Sequence, residues 1–510
     1  MFPKHFAGYL KIATILYFVF GIGGISAQHN NRLKASLESE TKEINIQQEF
    51  EYLNDSKDTL KILYFNDWAN AYSDKSTALA KRFAEEFKKS LHLAKEKDRG
   101  GTSIFSIVDD EYRAISWTRT SGRDLIKVEL NAPIAPGGST KLFFTSTVKL
   151  PPNRYTSFGY NNIGGYYLKD WYLTPAVYNG EWQLYSNKNL EDLYTGITDS
   201  NIIFSYPDSL FLGTNFKEVD ITSYPGKQVA TLEGVSRKSS YIILNAQKKF
   251  TKHVTPELLV VTDLRRTKYD EISQGVSIHR ISRFIHDNLG DFPYEQLLVS
   301  EEDFNKNPTY GLNQLPSFIR PYENQFQFEI SFLKTALNNY IKETIFLNPR
   351  KEKWVSDAVI NYLMIKFVEE FYPDQKLLGK LSKGWLIKGF HLAQMDYNEQ
   401  YPFLYMFTAR KNLDQGLTTP NDSLIKFNQK IANTYKAGLG LAYLADYTSV
   451  ERIDQSIKEF YKQYQLSPAK PSDFERILKE NSEKDIDWFF RTYVETDDRI
   501  DYKISNVVKT

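Results

Sequence analysis

"SFLKTALNNYIKETIF", residues 331–346, decides how the second half of the chain is interpreted. Its apolar residues recur at i, i+4, i+7 and i+8, which predicts an amphipathic helix with one buried stripe: Leu333, Leu337, Tyr340 and Ile341. Lys334 and Asn338 lie one turn apart on the flank of that stripe. The meaning of this polar pair depends on the other segments of the chain.

The composition limits the class of protein. The chain has 510 residues, which indicates two to four domains of roughly 100–200 residues each. Its 64 basic and 63 acidic side chains nearly balance, so we expect no nucleic-acid partner. The chain has no cysteine, which excludes disulfides, thiolate metal ligands and a cysteine nucleophile. Stability must then come from core packing, for which an aromatic content of 15% is well suited.

The first residues have the layout of a secretory signal peptide. Lys4, His5 and Lys11 precede an apolar run at 12–25, and Ala27 offers a cleavage site. The alternative is a membrane anchor, but this run is shorter than the roughly 20 residues that a spanning helix needs. We therefore expect an exported protein, located in the periplasm, in the cell envelope or outside the cell, with no membrane span after cleavage.

The residue composition and hydrophobic pattern divide the rest of the chain into domains. After the signal peptide at 1–27 we expect a polar lead-in at 28–60, extended or loosely helical, and a β-rich domain at 61–245. Short runs rich in Ile, Val, Phe, Tyr and Thr between Gly, Pro and Asn predict its strands. One helical stretch is predicted inside it from the four-residue spacing of Leu79, Phe83, Phe87 and Leu91.

The part at 246–500 is predicted to be helical. Periodicity predicts a helix that ends at Gly290, and further helices at about 328–347, 354–371, 423–446, 450–464 and 472–480. Residues 501–510 are expected to begin a tail or a truncated further domain.

The position of Lys334 and Asn338 matches a known metal-binding pattern. Metallopeptidases of the HExxH type carry two zinc-binding histidines at i and i+4 of a helix, with the intervening glutamate as general base. In this pattern Lys334 and Asn338 replace the histidines and Thr335 replaces the glutamate. Asp357, in "WVSDAVINYLMIKF" at 354–367, follows Asn338 by 19 residues (357 minus 338).

Two more segments complete the pattern. "PTYGLNQLPSF" at 308–318 precedes the helix and contains Gly311, Asn313 and Gln314, and "NTYKAGLGLAYL" at 433–444 contains Tyr435. Together with the β-rich stretch "LNAPIAPGGSTKLFFTSTVKLP" at 130–151, these segments resemble M1-family aminopeptidases, which are gluzincin metallopeptidases. The resemblance covers roughly residues 60–500.

The resemblance implies a fold and a set of roles. The fold is a multidomain α+β fold, in which an N-terminal β-sandwich-like (saddle) domain precedes a mainly helical, thermolysin-like domain. Lys334, Asn338 and Asp357 take the positions of the zinc ligands, and Tyr435 takes that of the tyrosine that stabilises the oxyanion. Asn313 takes the place of the glutamate that holds the substrate's amine, with Gly311 and Gln314 beside it in the substrate-binding segment.

These substitutions argue against zinc catalysis. A catalytic zinc needs three protein ligands, but lysine is cationic, asparagine is a poor ligand and only Asp357 suits the ion. Thr335 cannot act as a general base. We therefore expect no cofactor, and the Lys334 ammonium is expected to neutralise Asp357, with Tyr435 and Asn338 completing the hydrogen bonds. The alternatives are that Asp357 caps its helix and that Tyr435 is a core residue.

No other pattern in the sequence offers a catalytic site. The seven histidines form no HxH or HxxxH pair, and His279 and His286 are roughly 10 Å apart along one helix, too far for one metal. We expect both to be ordinary residues at a helix edge. The sequence also has no G-x-S-x-G motif, which leaves a serine-esterase site unsupported.

Three functions remain open at this point. The first is a pseudoenzyme that holds a peptide or an envelope partner in the cleft between its two domains. The second is an active zinc metalloaminopeptidase whose ligands are misaligned here, in which case zinc is the cofactor. The third is a carbohydrate-facing surface protein, suggested by the aromatic segment "GGYYLKDWYLTP" at 164–175.

Overall fold

The structure is a computed structural model that describes residues 29–266, 268–310, 321–385, 389 and 391–498. A sheet-rich N-terminal domain precedes a helical C-terminal region, which confirms the predicted multidomain α+β fold. The strands of the first domain are β1 (His29–Glu38), β2 (Glu43–Leu53), β3 (Leu60–Asn66), β4 (Gly101–Val108), β5 (Ser116–Arg119), β6 (Leu125–Ile134), β7 (Ser139–Lys149), β8 (Gly159–Tyr160), β9 (Tyr166–Lys169), β10 (Thr174–Pro175), β11 (Val177–Tyr178), β12 (Trp182–Gln183), β13 (Thr198–Pro207), β14 (Phe211–Thr214), β15 (Lys217–Tyr224), β16 (Lys227–Arg237) and β17 (Tyr241–Asn245).

A seven-stranded sheet forms the largest layer of this domain. Its order is β15-β16-β13-β1-β2-β7-β4, with β1 and β13 parallel and the other neighbours antiparallel. In β1, every second residue is buried, as in Leu33, Ala35 and Leu37, because alternate side chains of a strand point to opposite faces. Two four-stranded sheets, β10-β3-β6-β5 and β14-β17-β9-β8, share apolar cores with this sheet.

The stretch at 28–60, predicted from its polar composition to be a lead-in, instead contributes two strands to the sheet-rich domain. β1 and β2 lie in the middle of the large sheet, where β1 pairs with β13 in the register Leu33 to Ile202. Their polar residues alternate with apolar ones, so one face of each strand is buried and the other faces water.

The aromatic segment at 164–175 belongs to the core. Tyr166, Tyr167 and Trp171 are at most 4% exposed. The exposure of these rings, on which the carbohydrate-facing alternative depended, is therefore wrong, because all three pack inside the domain.

The predicted helix near residue 80 is shorter than expected. Helix α1 (Ala78–Glu85) buries Leu79 and Phe83. Phe87 has a positive φ of 59° and is 90% exposed, so the helix has already ended before this residue. Leu91 is buried even though it lies outside the helix, which is why the spacing extended the prediction.

The helical region begins with a small sheet of β18 (Thr251–Val254), β19 (Leu259–Thr262) and β20 (Gln296–Val299). Its helices are α2 (Glu271–Leu289), α3 (Glu301–Lys306), α4 (Asn324–Thr344), α5 (Lys353–Phe371), α6 (His391–Gln394), α7 (Gln400–Ala409), α8 (Asn433–Tyr447), α9 (Val450–Tyr464) and α10 (Pro471–Asn481). A π-helical turn, Asn428–Ala432, leads into α8. Helices α2, α4, α5, α9 and α10 lie within a few residues of the predicted ranges, and Gly290 follows α2 with a positive φ of 94°.

Helices α4 and α5 form the centre of the helical core. The stripe residues Leu333, Leu337 and Tyr340 are fully buried, as the periodicity of 331–346 predicts. Helix α8 packs closely on α5 at Gly438, where a Cβ atom would lie 2.4 Å from the Cβ of Asn361. Only glycine permits this approach, and it fixes the position of Asn361 beside the site described below.

Among the described residues, no helix combines the length and the apolar character that crossing a bilayer requires.

Candidate functional site

A cavity of about 380 Å³ lies between the sheet-rich domain and the helical region. It is called the interdomain cavity here, and residues of both parts line it. Lys334, Asn338 and Lys342 of α4 belong to its lining. They follow each other at i, i+4 and i+8, so they occupy one face of the helix beside the buried stripe. Thr335 lines the same wall.

Helix α5 supplies a second face of the same periodicity. Lys353, Asp357 and Asn361 are also spaced at i, i+4 and i+8, and all three line the cavity. Asp357 lies in the second turn of α5, whose N-cap residue is Glu352, so Asp357 does not cap the helix. Lys334, Thr335, Asn338 and Asp357 therefore lie on the wall of one cavity.

The expected ion pair between Lys334 and Asp357 does not form. In the described part of the chain, Asp357 forms its ion pair with Lys353, one turn earlier on α5. A partner four residues away on the same helix is already within reach, which explains this choice. The Lys334 Nζ atom instead donates a hydrogen bond to the Pro308 carbonyl oxygen at 2.8 Å. The predicted neutralisation of Asp357 by Lys334 is wrong.

Asn338 is held by neighbouring amide and carbonyl groups. Its Nδ2 atom donates to the Lys334 carbonyl oxygen at 2.8 Å, and its Oδ1 atom accepts from Asn307 Nδ2 at 3.4 Å. On α5, Asn361 likewise donates a hydrogen bond to the carbonyl oxygen four residues earlier, that of Asp357, at 2.8 Å. Both asparagines thus have fixed orientations on the cavity wall.

The cavity lining also carries a cluster of charges around Glu191. Its carboxylate lies 2.6 Å from Lys169 Nζ and 4.0 Å from Lys306 Nζ. Burial opposes ionisation of Glu191, but the two lysines outweigh burial and hold its pKa at about 2. Lys306 also lies over the ring of Tyr167, 3.3 Å from its centroid.

Several lysines of the cavity have depressed pKa values. Burial lowers the pKa of Lys334 to about 7, and the neighbouring Lys342 adds to the shift, while Asp357 opposes it. Burial likewise lowers the pKa of Lys342 to about 8 and that of Lys238 to about 7. For each of these ammonium groups, the free energy lost by removal from water exceeds the free energy gained from nearby carboxylates.

Tyr435 lies in the core next to the cavity. It is 4% exposed and packs against Tyr401, with ring centroids 4.6 Å apart, and it is Thr434 that lines the cavity. Burial raises the pKa of Tyr435 above its ordinary value. This position fits the alternative interpretation of Tyr435 as a core residue. Gly311, Asn313 and Gln314 lie outside the described residues.

The histidines of α2 are ordinary residues at the helix edge. His279 is exposed, and the Nε2 atom of His286 lies 3.0 Å from the carboxylate of Asp291.

The side chains at the HExxH positions do not fit a zinc ion. Lys334 already donates to a carbonyl oxygen, Asn338 is bonded to its neighbours, and Asp357 is paired with Lys353. Among the described residues, no group of three or more histidine, aspartate or glutamate side chains is placed to hold a metal ion. No hydrolytic step through zinc can be built from these groups.

Most of the cationic lining was not predicted from the sequence. Lys342 could have been found, because it continues the face of Lys334 and Asn338 by one more turn. Lys353 could also have been recognised as the partner of Asp357 from its four-residue spacing. Lys238 and Lys430 left no such signal, because they come from segments that only the tertiary fold brings to the cavity.

No protein-family model matches the sequence, and no curated protein matches it. Solved structures do match. The M1 zinc metallopeptidase of Deinococcus radiodurans is 11% identical, with a TM-score of 0.58, and the match covers 93% of this chain and 94% of that chain.

A glutamate-to-alanine mutant of that enzyme, bound to a Tyr-Ser-Ala substrate, is 11% identical with a TM-score of 0.57, covering 92% and 94% of the two chains. A two-domain M1 zinc metallopeptidase mutant bound to L-tryptophan is 12% identical with a TM-score of 0.58, covering 93% and 95%. At such low sequence identity, these matches establish a similar fold only. The similarity extends over nearly the whole length of both chains. The protein therefore has the two-domain fold of the M1 zinc metallopeptidases.

Proposed function

We propose that this chain is an exported binding protein with an M1 aminopeptidase-like fold, which holds a peptide or a segment of an envelope partner in the interdomain cavity without cutting it. The observation that carries the proposal is the chemistry of the cavity wall. Lys334, Thr335, Asn338 and Asp357 lie together there, and none of their side chains is free to take the role of a zinc ligand or a general base.

The kind of ligand follows from the fold and from the cavity. One structural neighbour is bound to a Tyr-Ser-Ala substrate, so this fold can accommodate a short peptide. The cavity volume of about 380 Å³ lies within the range of small-ligand sites. Its lining includes the amide side chains of Asn307, Asn338, Asn339 and Asn361, which can bond to a peptide backbone.

The first experiment measures metal content and hydrolysis on the same sample. The mature chain, starting at residue 28, is purified without chelator and assayed for zinc by mass spectrometry and for release of N-terminal residues from aminoacyl-nitroanilides and tripeptides. We expect far less than one zinc per chain and no release above the protein-free rate. About one zinc per chain together with chelator-sensitive release would contradict the proposal and favour the active metalloaminopeptidase.

A second experiment tests export. The protein is expressed with its N-terminus intact, and the form recovered from the cell envelope or medium is sequenced. We expect Gln28 as the first residue, since the predicted cleavage site follows Ala27. A mature protein that keeps residues 1–27 would contradict export with cleavage.

A further inference from the structure

The interdomain cavity has a strong local excess of positive charge. Among the described residues that line it, nine are lysines and five are aspartates or glutamates. The chain as a whole has 64 basic and 63 acidic residues, so this excess is a property of the cavity and not of the composition. A concave wall of one sign concentrates ligands of the opposite sign.

Most carboxylates of the lining are already engaged inside the protein. Asp357 and Glu191 form the ion pairs with lysines described above. Glu343 lies 3.3 Å from the Arg237 guanidinium, and both side chains are buried. Asp303 accepts a hydrogen bond from the Tyr167 hydroxyl at 2.8 Å.

The remaining carboxylate, Asp170, gives little compensation. It is 8% exposed, and burial raises its pKa to about 6 even though Lys169 lies close by. The Lys169 ammonium is in turn paired with Glu191. The excess positive charge therefore falls on the other lysines.

Four lysines of the lining have no carboxylate within 4 Å in the part of the chain that the structure describes: Lys238, Lys334, Lys342 and Lys430. Lys238 and Lys334 donate only to backbone carbonyl oxygens, those of Ile345 at 3.2 Å and Pro308 at 2.8 Å. Lys342 and Lys430 have neither an ion pair nor a side-chain hydrogen bond to a described residue. The four come from the sheet-rich domain, from α4 and from the π-helical turn before α8.

An ammonium group removed from bulk water without a counter-charge is unfavourable. Lys238, Lys334 and Lys342 are partly buried in this way, and Lys430 is an exposed lysine on the same lining. A ligand that supplies anions would compensate all four. We infer that the ligand of the interdomain cavity is an acidic peptide whose carboxylates pair with Lys238, Lys334, Lys342 and Lys430. This inference rests on the proposed function, because it names the ligand class of the same cavity.

The spacing of the lysines suits an extended peptide. Lys334 and Lys342 are eight residues apart on α4, which is a rise of about 12 Å. In an extended chain, side chains four residues apart lie on the same face and are separated by about 13 Å. Asn338 lies between the two lysines, where the peptide backbone would pass. Charge-assisted hydrogen bonds from lysine to carboxylate at both ends would fix the register.

The test compares three labelled peptides of equal length on the full mature chain: hexaglutamate, a neutral Gly/Ser hexapeptide and hexalysine. Fluorescence anisotropy at pH 7 and low salt gives the Kd of each. We expect hexaglutamate to bind at least about tenfold more tightly than the neutral peptide, and hexalysine to bind more weakly than either.

Variants locate the binding site. The double variant Lys342→Gln, Lys430→Gln should weaken hexaglutamate binding by about tenfold or more, and Lys238→Gln, in the sheet-rich domain, should weaken it as well. The matched control is Lys227→Gln, Lys462→Gln, which removes two exposed lysines outside the cavity, and its Kd should be unchanged. Circular dichroism and thermal melts establish that each variant is folded.

The other outcomes separate this inference from the proposed function. Equal binding of all three peptides, or a preference for the neutral one, would overturn the inference while leaving peptide binding intact. Binding of a sulfated oligosaccharide but of no peptide would overturn the acidic-peptide inference, and so would the absence of binding to any probe. Zinc-dependent cleavage of the neutral peptide would instead overturn the proposed function.

Discussion

Arg350 and Asp192 form a buried, bidentate ion pair that joins the sheet-rich domain to the helical region. The Nε and Nη2 atoms of Arg350 lie 2.8 and 2.9 Å from the Asp192 carboxylate oxygens, and the two residues are 5% and 1% exposed. Arg350 lies between α4 and α5, whereas Asp192 belongs to the sheet-rich domain. Asn421, which lines the cavity, donates to the same carboxylate at 3.3 Å.

This pair should be essential for stability. Asp192→Asn removes the bidentate partner of the buried Arg350 guanidinium and leaves it only the Asp422 carboxylate, 3.8 Å from Nη1, so we expect a loss of about 3 kcal/mol in the free energy of unfolding. Urea denaturation followed by fluorescence measures the loss. Glu129→Gln, which removes the exposed partner of Lys127, serves as the control and should change stability by less than about 1 kcal/mol. Equal effects of the two substitutions would contradict this role of the Arg350–Asp192 pair.

Two lysines of the cavity should respond in opposite directions to the same change. Lys342→Met removes a partly buried ammonium group that has no carboxylate within 4 Å among the described residues, so we expect a gain of about 1 kcal/mol in stability. Lys353→Met removes the ion-pair partner of the buried Asp357 carboxylate, so we expect a loss of similar or larger size. Thermal melts at pH 7 compare the two variants. A loss for Lys342→Met would show that its ammonium is stabilised in the free protein.

Asp170 should make stability depend on pH. Burial raises its pKa from 3.8 to about 6, so between these values the folded state binds the proton more tightly than the unfolded state. Stability contributed by protonation is therefore present at low pH and is lost as the pH rises through about 6. Asp170→Asn removes the cost of burying the charge and keeps a residue type that tolerates the positive φ of 53°.

We expect Asp170→Asn to be more stable than the wild type at pH 8 by roughly 3 kcal/mol, from about two pKa units at 1.36 kcal/mol each. The difference should shrink as the pH falls towards 4. Denaturation at pH 8, 6 and 4 measures it, and a difference independent of pH would contradict the assignment to Asp170.

Binding of hexaglutamate should weaken as the pH rises. Lys238 and Lys342 have pKa values of about 7 and 8, so they lose their positive charge across this range while the peptide carboxylates stay ionised. The charged groups near Lys238 are Glu343, Lys342 and Lys169. Those near Lys342 are Asp357, Lys353, Glu191 and Lys169. We expect Kd to rise by about tenfold between pH 6 and pH 9. The variant Lys238→Gln, Lys342→Gln should show a much flatter profile, and an unchanged profile would exclude these two lysines as its cause.

The alignment with the HExxH pattern can be tested by restoring it. Lys334→His, Asn338→His and Asp357→Glu together would place three zinc-ligand side chains on the two helix faces that line one cavity. We expect this triple variant to retain about one zinc per chain after dialysis and the wild type to retain far less. The variant without Asn338→His is the control, with only two ligands. Equal zinc content in the triple variant and the wild type would show that these positions do not converge as the pattern requires.

The local pattern predicted the helices well, for a physical reason. The apolar residues of 331–346 recur with the 3.6-residue period of a helix, and this period can be detected without information about the rest of the chain. The glycine that ends α2 is equally local, since Gly290 adopts a positive φ that other residues avoid. The spacing of Lys334, Asn338 and Asp357 also placed three residues that line the same cavity.

Long-range pairing was beyond the reach of local patterns. Residues 29–53 are too polar to suggest a central strand, and β1 becomes one because β13, far along the chain, pairs with it in parallel. The partner of Asp357 was the opposite case, because its four-residue spacing to Lys353 was visible in the sequence. The resemblance suggested Lys334 on the neighbouring helix, whereas the structure pairs the carboxylate with Lys353 on its own helix.

The sequence by itself determined the order of a β-rich part and a helical part, and the face of α4 that carries Lys334 and Asn338. It also determined that neither of these two positions has a residue type that binds zinc well. Periodicity and side-chain chemistry are local properties, so both can be taken from the sequence. Only the tertiary structure decided that Lys238 and Lys430 join Lys334 and Lys342 around one cavity, because their segments come together through packing between the two parts of the chain. The charge of the cavity is therefore a property of the fold, although each lysine that produces it is visible in the sequence.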